Sequence, residues 1–250
     1  MGKGRFAMTN IRLDAAGQTD VGLVRKANED SILLAEEHGF WLVADGMGGH
    51  ANGALASQTA VSGFKALQFS DNFDDAITEI ADRMHAVNSR LAQMIQSDDT
   101  GHMGTTAVAL LIKEERFAVI WVGDSRAYIY RRGGLFQLSV DHTHVQELVD
   151  AGILSQAEAI DHPMGHVLTR ALGVQADVQV DVVQDTIEHG DRLIICSDGL
   201  SGPVTDDEIR MIVAQGNSET VVSELVAAAH RGGAPDNVSV IVIAIESKLS

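Results

Sequence analysis

The sequence predicts a layered α+β fold in a single domain. Three observations carry this. Strand-like runs come in groups rather than alternating singly with helices, two pairs of helical stretches separate the groups, and no Ser/Pro-rich linker divides the 250 residues, which include only three prolines. Runs rich in β-branched and apolar residues predict strands at 31–35, 40–44, 105–113, 117–122, 127–131, 178–183, 192–196 and 238–245. The Arg131-Arg132-Gly133-Gly134 turn makes 127–138 a hairpin. Helices are predicted at 53–67 and 76–95, and again at 206–214 and 218–230 between the last two strands. Thr205 with Glu208 three residues on forms a capping box for the third of these. Apolar residues make up 45% of the chain and aromatics only 4%, so the core must be built from Val, Ile, Leu, Ala and Met.

Residues 141–172 break the pattern. They hold four histidines (His142, His144, His162, His166), the pair His162-Pro163 and only short helical patterns. A long irregular stretch in a compact domain is usually functional, and this one is expected to be a flap over a site. The domain is expected to run from 9 to 247, with 1–8 a disordered or non-native appendage before a natural start at Met8.

The formal charge of −17 sets aside nucleic acid and anionic lipid as partners. It also repels phosphorylated substrates unless bound cations reverse the field locally. Cys196, the one cysteine, lies in the apolar run ending Ile194-Ile195-Cys196 and reads as a core residue, not a nucleophile. The first residues lack the apolar stretch of a signal peptide, and Phe6 stands where a myristoylation signal needs Ser or Thr. No apolar run approaches the ~20 residues of a membrane span. The expectation is a soluble, cytoplasmic monomer.

Three acidic segments share one grammar: an apolar run delivers an Asp to its end and small residues follow. They are Val43-Ala44-Asp45-Gly46, Val122-Gly123-Asp124-Ser125 and Cys196-Ser197-Asp198-Gly199. Asn28-Glu29-Asp30 and Pro235-Asp236-Asn237 instead precede strands. Carboxylates at strand ends beside glycine can converge on one point, where they need cations. Oxygen-only donors suit hard ions such as Mg²⁺ or Mn²⁺, and no zinc spacing accompanies them. A lone Asp-Gly is more often a turn than a ligand; five acidic segments placed alike are not explained as turns.

The ordered set Arg25-Lys26-Ala27-Asn28-Glu29-Asp30, Asp45-Gly46-Met47-Gly48-Gly49-His50, Gly104-Thr105-Thr106, Gly123-Asp124-Ser125-Arg126, Ser197-Asp198-Gly199 and Asp236-Asn237 resembles the PP2C or PPM family of protein phosphatases, in its compact bacterial form. The resemblance implies a four-layer αββα sandwich, two antiparallel sheets flanked by helix pairs. It implies serine/threonine phosphatase activity by direct attack of a hydroxide bridging two Mn²⁺ or Mg²⁺ ions. On the matching positions, Asp45 bridges both ions, the Gly46 carbonyl holds the second, and Asp198 and Asp236 hold the first. Asp30 acts through waters of the second ion, with Glu29 a candidate for the same role. Asp124, with Asp198, matches the site of a weaker third ion. Arg25 matches the arginine that grips the substrate phosphate, where its planar fork suits two oxygens. His50 is a candidate proton donor to the leaving oxygen, with a structural or substrate-positioning role as the alternative.

Two other classes of function compete. A catalytically weak, metal-regulated binding module on the same fold would be expected to lack part of the acidic set, which is complete here. A nuclease would need a basic stripe, and none is visible. The implied partners are phosphoproteins, including a eukaryotic-like Ser/Thr kinase and its substrates.

Overall fold

The computed structural model describes residues 4–8, 11–49, 51–65, 68–98, 103–159 and 162–247. Its elements, in chain order, are β1 Gly4–Met8, β2 Ile11–Asp20, β3 Asp30–Ala35, β4 Phe40–Met47, α1 Ala51–Phe64, α2 Phe73–Asp98, β5 Gly104–Thr105, β6 Ala107–Lys113, β7 Arg116–Val122, β8 Arg126–Arg131, β9 Gly134–Gln137, α3 His144–Asp150, α4 Gln156–Ala159, β10 Asp181–Thr186, β11 Arg192–Cys196, α5 Asp198–Ser201, α6 Asp206–Val213, α7 Ser218–Arg231 and β12 Val238–Ser247. One sheet runs β1-β2-β12-β11-β8-β9 and the other β10-β7-β6-β4-β3, with β5 on the end of β4; every named pairing is antiparallel.

Period-two side-chain alternation sorts each central strand between two cores. In β4, Trp41 and Val43 face the other sheet while Phe40, Leu42 and Ala44 face α1 and α2. In β7, Phe117, Val119 and Trp121 face inward and Ala118, Ile120 and Val122 face the helices. In β11, Leu193 and Ile195 pack between the sheets, whereas Ile194 and Cys196 pack on α6 and α7. Three stacked cores require four layers: helices, sheet, sheet, helices. Cys196 is fully buried, and burial pushes its thiol up to about 12, so it is an inert core residue.

The differences from the expected elements have local causes. Residues 1–8 are expected as an appendage, yet Gly4–Met8 pairs with β2 from Gly4↔Ala15 to Met8↔Ile11 and covers an edge that would otherwise expose unpaired backbone groups. β2 itself escapes the sequence pattern because Leu13, Ala15 and Gly17 alternate with polar and small residues too weakly to mark a strand. Helix α2 starts at Phe73, before the expected 76, because Asn72 Oδ1 accepts from Asp74 N and Asp75 N. The strand expected at 178–183 lies at Asp181–Thr186, the window set by pairing with residues 116–121 of β7. The run at 105–113 breaks at Thr106, between β5, which pairs with the end of β4, and β6, which pairs with residues 40–43 of the same strand.

Segment 141–172 contains α3, α4 and bends, closed at its base by the bridges Thr143↔Leu168 and Thr105↔Leu172. Among the described residues, no helix is long and apolar enough to cross a membrane.

Candidate active site

The antiparallel topology brings the end of one strand beside the start of its neighbour. Asp30, opening β3, is the register partner of Asp45 near the end of β4. Asp198 follows β11 and Asp236 precedes β12, its antiparallel neighbour. Asp124 follows β7. Ser197 Oγ donates to Asp30 Oδ2 at 2.8 Å across the two sheets and accepts from Ser239 N at 3.0 Å, so both sheets present their acidic residues at one end of the sandwich.

A cleft of about 740 Å³ opens there, lined by Arg25, Glu29, Asp45, Gly46, Asp124, Asp198 and Asp236 among others. The structure therefore brings together all but two of the sequence-predicted site residues. Asp30 lies beneath the cleft, 7% exposed, and is not among its lining residues. His50 lies outside the described residues.

The carboxylates repel one another. Burial first, then Asp30, Asp198, Asp124 and Asp236, hold Asp45 well above the ordinary range. Burial and then Asp198 push Asp124 up to about 8. Burial raises Asp30 to about 6 against the hydrogen bonds from Ser239 and Ser197, and burial with Asp236 raises Asp198. Asp30 Oδ1 and Asp198 Oδ1 are buried without a hydrogen-bond partner among the described residues. Buried carboxylate oxygens left without donors are what hard divalent cations, directly or through their bound waters, can satisfy. Among the described residues, no three His, Cys, Asp or Glu side chains stand close enough together to hold a metal ion by themselves. An open row of oxygen donors instead fits ions that keep much of their water.

Glycine is required where the chain closes on itself. A Cβ on Gly46 would lie 2.0 Å from Gly53 O and 2.6 Å from Glu29 O. Gly48 and Gly49 adopt φ of 130° and 81°, values that favour glycine.

Arg25 Nη2 meets Asp236 Oδ2 at 2.6 Å, and this pairing holds its guanidinium above the ordinary range. The loop that carries it is pinned by Asn237. Asn237 Nδ2 donates to Val21 O at 2.9 Å and Ala27 O at 3.0 Å, and its Oδ1 accepts from Glu29 N at 2.8 Å.

Residues 24–232 match the sequence profile of the family described as Protein phosphatase 2C. The chain belongs to that family. It is 37% identical over 238 residues to the serine/threonine protein phosphatase PstP of Mycobacterium tuberculosis, a match covering 95% of this chain and 46% of that protein. It is 33% identical over 243 residues to the serine/threonine phosphatase stp of Listeria monocytogenes, covering 92% and 95%. The catalytic domain of PstP, solved in complex with two manganese ions, superposes with a TM-score of 0.85 at 35% identity, covering 95% of this chain and 100% of that one. The chain thus spans about half the length of the mycobacterial protein and nearly all of the listerial one.

Two features of this phosphatase 2C domain escape the sequence. His166 lines the cleft with Nδ1 3.8 Å from Asp198 Oδ2, yet nothing in its spacing separates it from the other histidines of segment 141–172. Asn237 is visible in the Asp236-Asn237 motif, but its role as a clamp depends on the fold of 21–29. Thr106 proves to be a joint between strands: its Oγ1 accepts from Asp45 N at 3.1 Å and lies 2.7 Å from Ser125 Oγ.

Proposed function

We propose that this chain is a metal-dependent phosphatase that removes phosphate from serine and threonine side chains of proteins. The observation that carries the reading is the convergence of Asp45, Asp124, Asp198 and Asp236 in one cleft with Arg25 at its side.

Asp45, the Gly46 carbonyl, Asp198 and Asp236 hold two Mn²⁺ or Mg²⁺ ions, as the two-manganese PstP structure supports. Asp30 and Glu29 act through water, and Asp124 with Asp198 serves a weaker third ion. When bound, the ions lower the pKa of coordinated water and neutralise the substrate phosphate that a protein of charge −17 would repel. Arg25 exchanges its contact with Asp236 for two phosphate oxygens and orients the phosphoryl group. Ser197 and Ser239 hold Asp30 in place. His50 stays the candidate donor of a proton to the leaving oxygen. Segment 141–172 is the flap beside the cleft, since His166 and Leu168 line it.

The domain works on phosphoproteins in the cytoplasm as a monomer, opposing a eukaryotic-like Ser/Thr kinase. Phosphate release from a panel of phosphoserine and phosphothreonine peptides, with Mn²⁺ or Mg²⁺ added back to metal-stripped protein, tests the reading. Release that needs no added metal, or that is confined to small aryl phosphates, would refute it.

A further inference from the structure

Asp124 sits in a turn whose two sides are gripped by consecutive residues from another part of the chain. On one side, Gly123 N donates to His142 Nδ1 at 3.0 Å and His142 N donates to Gly123 O at 3.0 Å. On the other, Arg126 Nε and Nη2 reach the Asp141 carboxylate at 2.7 to 3.0 Å. Asp141 and His142 are the first two residues of segment 141–172. Gly123 has a φ of 108°, and a Cβ there would stand 2.6 Å from Thr106 Cγ2, so the turn has one narrow conformation to be held in.

The imidazole is locked as well. It is 5% exposed and lies nearly parallel to the Trp121 ring, with centroids 6.0 Å apart and planes at 20°. Because Nδ1 accepts from Gly123, Nε2 carries the hydrogen and donates to Asp181 Oδ2 at 3.1 Å. Arg170 Nη1 donates to Asp181 Oδ1 at 3.2 Å; its 3.3 Å approach to Nε2 is one of two donors sharing a carboxylate. Burial, then Arg170, lowers the imidazole's proton affinity, in keeping with this neutral tautomer. The far end of the segment is tied in too, since Thr169 N donates to the His142 carbonyl at 2.8 Å.

We propose that His142 is a positioning residue for Asp124, fixing the turn that carries this carboxylate and coupling it to the root of segment 141–172. The inference rests on the proposed role of Asp124 toward the weaker third ion. A merely structural histidine would cost stability when replaced but leave the Asp124 turn unchanged.

His142→Phe keeps a ring against Trp121 but removes the acceptor for Gly123 N. His142→Asn offers an amide oxygen in place of Nδ1. Two readouts apply: amide hydrogen exchange at 123–126 in metal-stripped protein, and calorimetric titration of Mn²⁺ resolving tight from weak binding. His142→Phe is expected to speed exchange at 123–126 and weaken the weak Mn²⁺ phase by about tenfold, the equivalent of losing one hydrogen bond worth about 1.4 kcal/mol. Tight binding should be retained and His142→Asn should restore most of the loss. Unchanged exchange and an unchanged weak phase in folded His142→Phe overturn the proposal. If that variant does not fold, Asp181→Ala, which frees the ring from its other side, must move both readouts the same way, and unchanged values overturn the proposal. Asp124→Ala separates the two ideas. If it keeps the weak phase, the metal role of Asp124 falls, while exchange in the metal-free protein still decides whether His142 holds the turn.

Discussion

Asn237→Ala should detach the loop that carries Arg25. The side chain is 3% exposed and makes three hydrogen bonds, to Val21 O, Ala27 O and Glu29 N. At a net value of about 1 kcal/mol each, their loss sums to about 3 kcal/mol. Leaving all three partners buried and unpaired would cost more. Residues 23–27 are already exposed, however, so the loop can lift and let water satisfy the freed groups. Release is therefore cheaper than burial without partners, and about 3 kcal/mol is a ceiling on the global loss. The functional loss is set by how seldom the loop is docked. Each 1.4 kcal/mol of docking energy is a factor of ten, so kcat/KM for a phosphopeptide should fall by roughly ten- to a hundredfold, mostly through KM. Tight Mn²⁺ binding should survive, because the Asn237 N–H that donates to Asp236 Oδ1 belongs to the backbone. Urea denaturation, peptide kinetics and calorimetry check the three parts. A variant with an unchanged unfolding midpoint and unchanged KM would refute the clamp, and lost Mn²⁺ binding would show that Asn237 supports the metal ligands instead.

Asp45→Asn and Asp198→Asn should each lose a tight Mn²⁺ phase in calorimetry and all turnover while remaining folded by circular dichroism. Arg25→Ala should raise KM for phosphopeptide by roughly tenfold or more, the scale of a charge-assisted hydrogen bond, while Mn²⁺ affinity stays within about a factor of two; a large drop in metal affinity would move Arg25 out of phosphate binding. The raised carboxylates give a pH signature. The metal-stripped folded state holds protons that the unfolded chain has released above about pH 4, so stability should fall as pH rises through about 6 for Asp30 and about 8 for Asp124. Mn²⁺ affinity should rise over the same range, and urea unfolding with and without Mn²⁺ at several pH values reads both. Gly46→Ala should abolish metal binding, because its Cβ has backbone oxygens of Gly53 and Glu29 within 2.6 Å and neither can yield cheaply.

The layers were legible because alternation survives in the buried strands: a run such as Trp41-Leu42-Val43-Ala44 has one face for each core. β2 was not, since its inward positions are Leu13, Ala15 and Gly17 and its strand identity comes from pairing with ten residues of β12. At the cleft, lining residues in recognisable motifs could be picked out: Asp45, Asp124, Asp198 and Asp236 beside strand ends, and Arg25 in the loop between β2 and β3. What could not be found were contacts made by the closed fold. His166 reaches Asp198 from 32 positions away in a segment without periodicity. His142 gives no sign in the sequence that its ring nitrogen accepts from Gly123. Such polar contacts depend on register and approach, which apolar periodicity does not encode.

The placement of the acidic residues follows from strand pairing more than from any attraction among them. In an antiparallel pair the residues near the end of one strand sit beside those that open its neighbour, so Asp45 near the end of β4 and Asp30 opening β3 are neighbours whatever their charge. The hydrophobic cores that fix β3, β4, β11 and β12 therefore supply the energy that holds mutually repelling carboxylates together. This leaves Asp30 Oδ1 and Asp198 Oδ1 buried without donors among the described residues, and protonation favoured at Asp30, Asp45, Asp124 and Asp198. A divalent cation that displaces those protons removes the repulsion and stabilises the folded state by an amount that grows with the logarithm of its concentration over Kd. Metal binding and fold stability are then one equilibrium seen from two sides. The same carboxylates whose repulsion makes the metal-free domain less stable at high pH are those proposed to hold the ions.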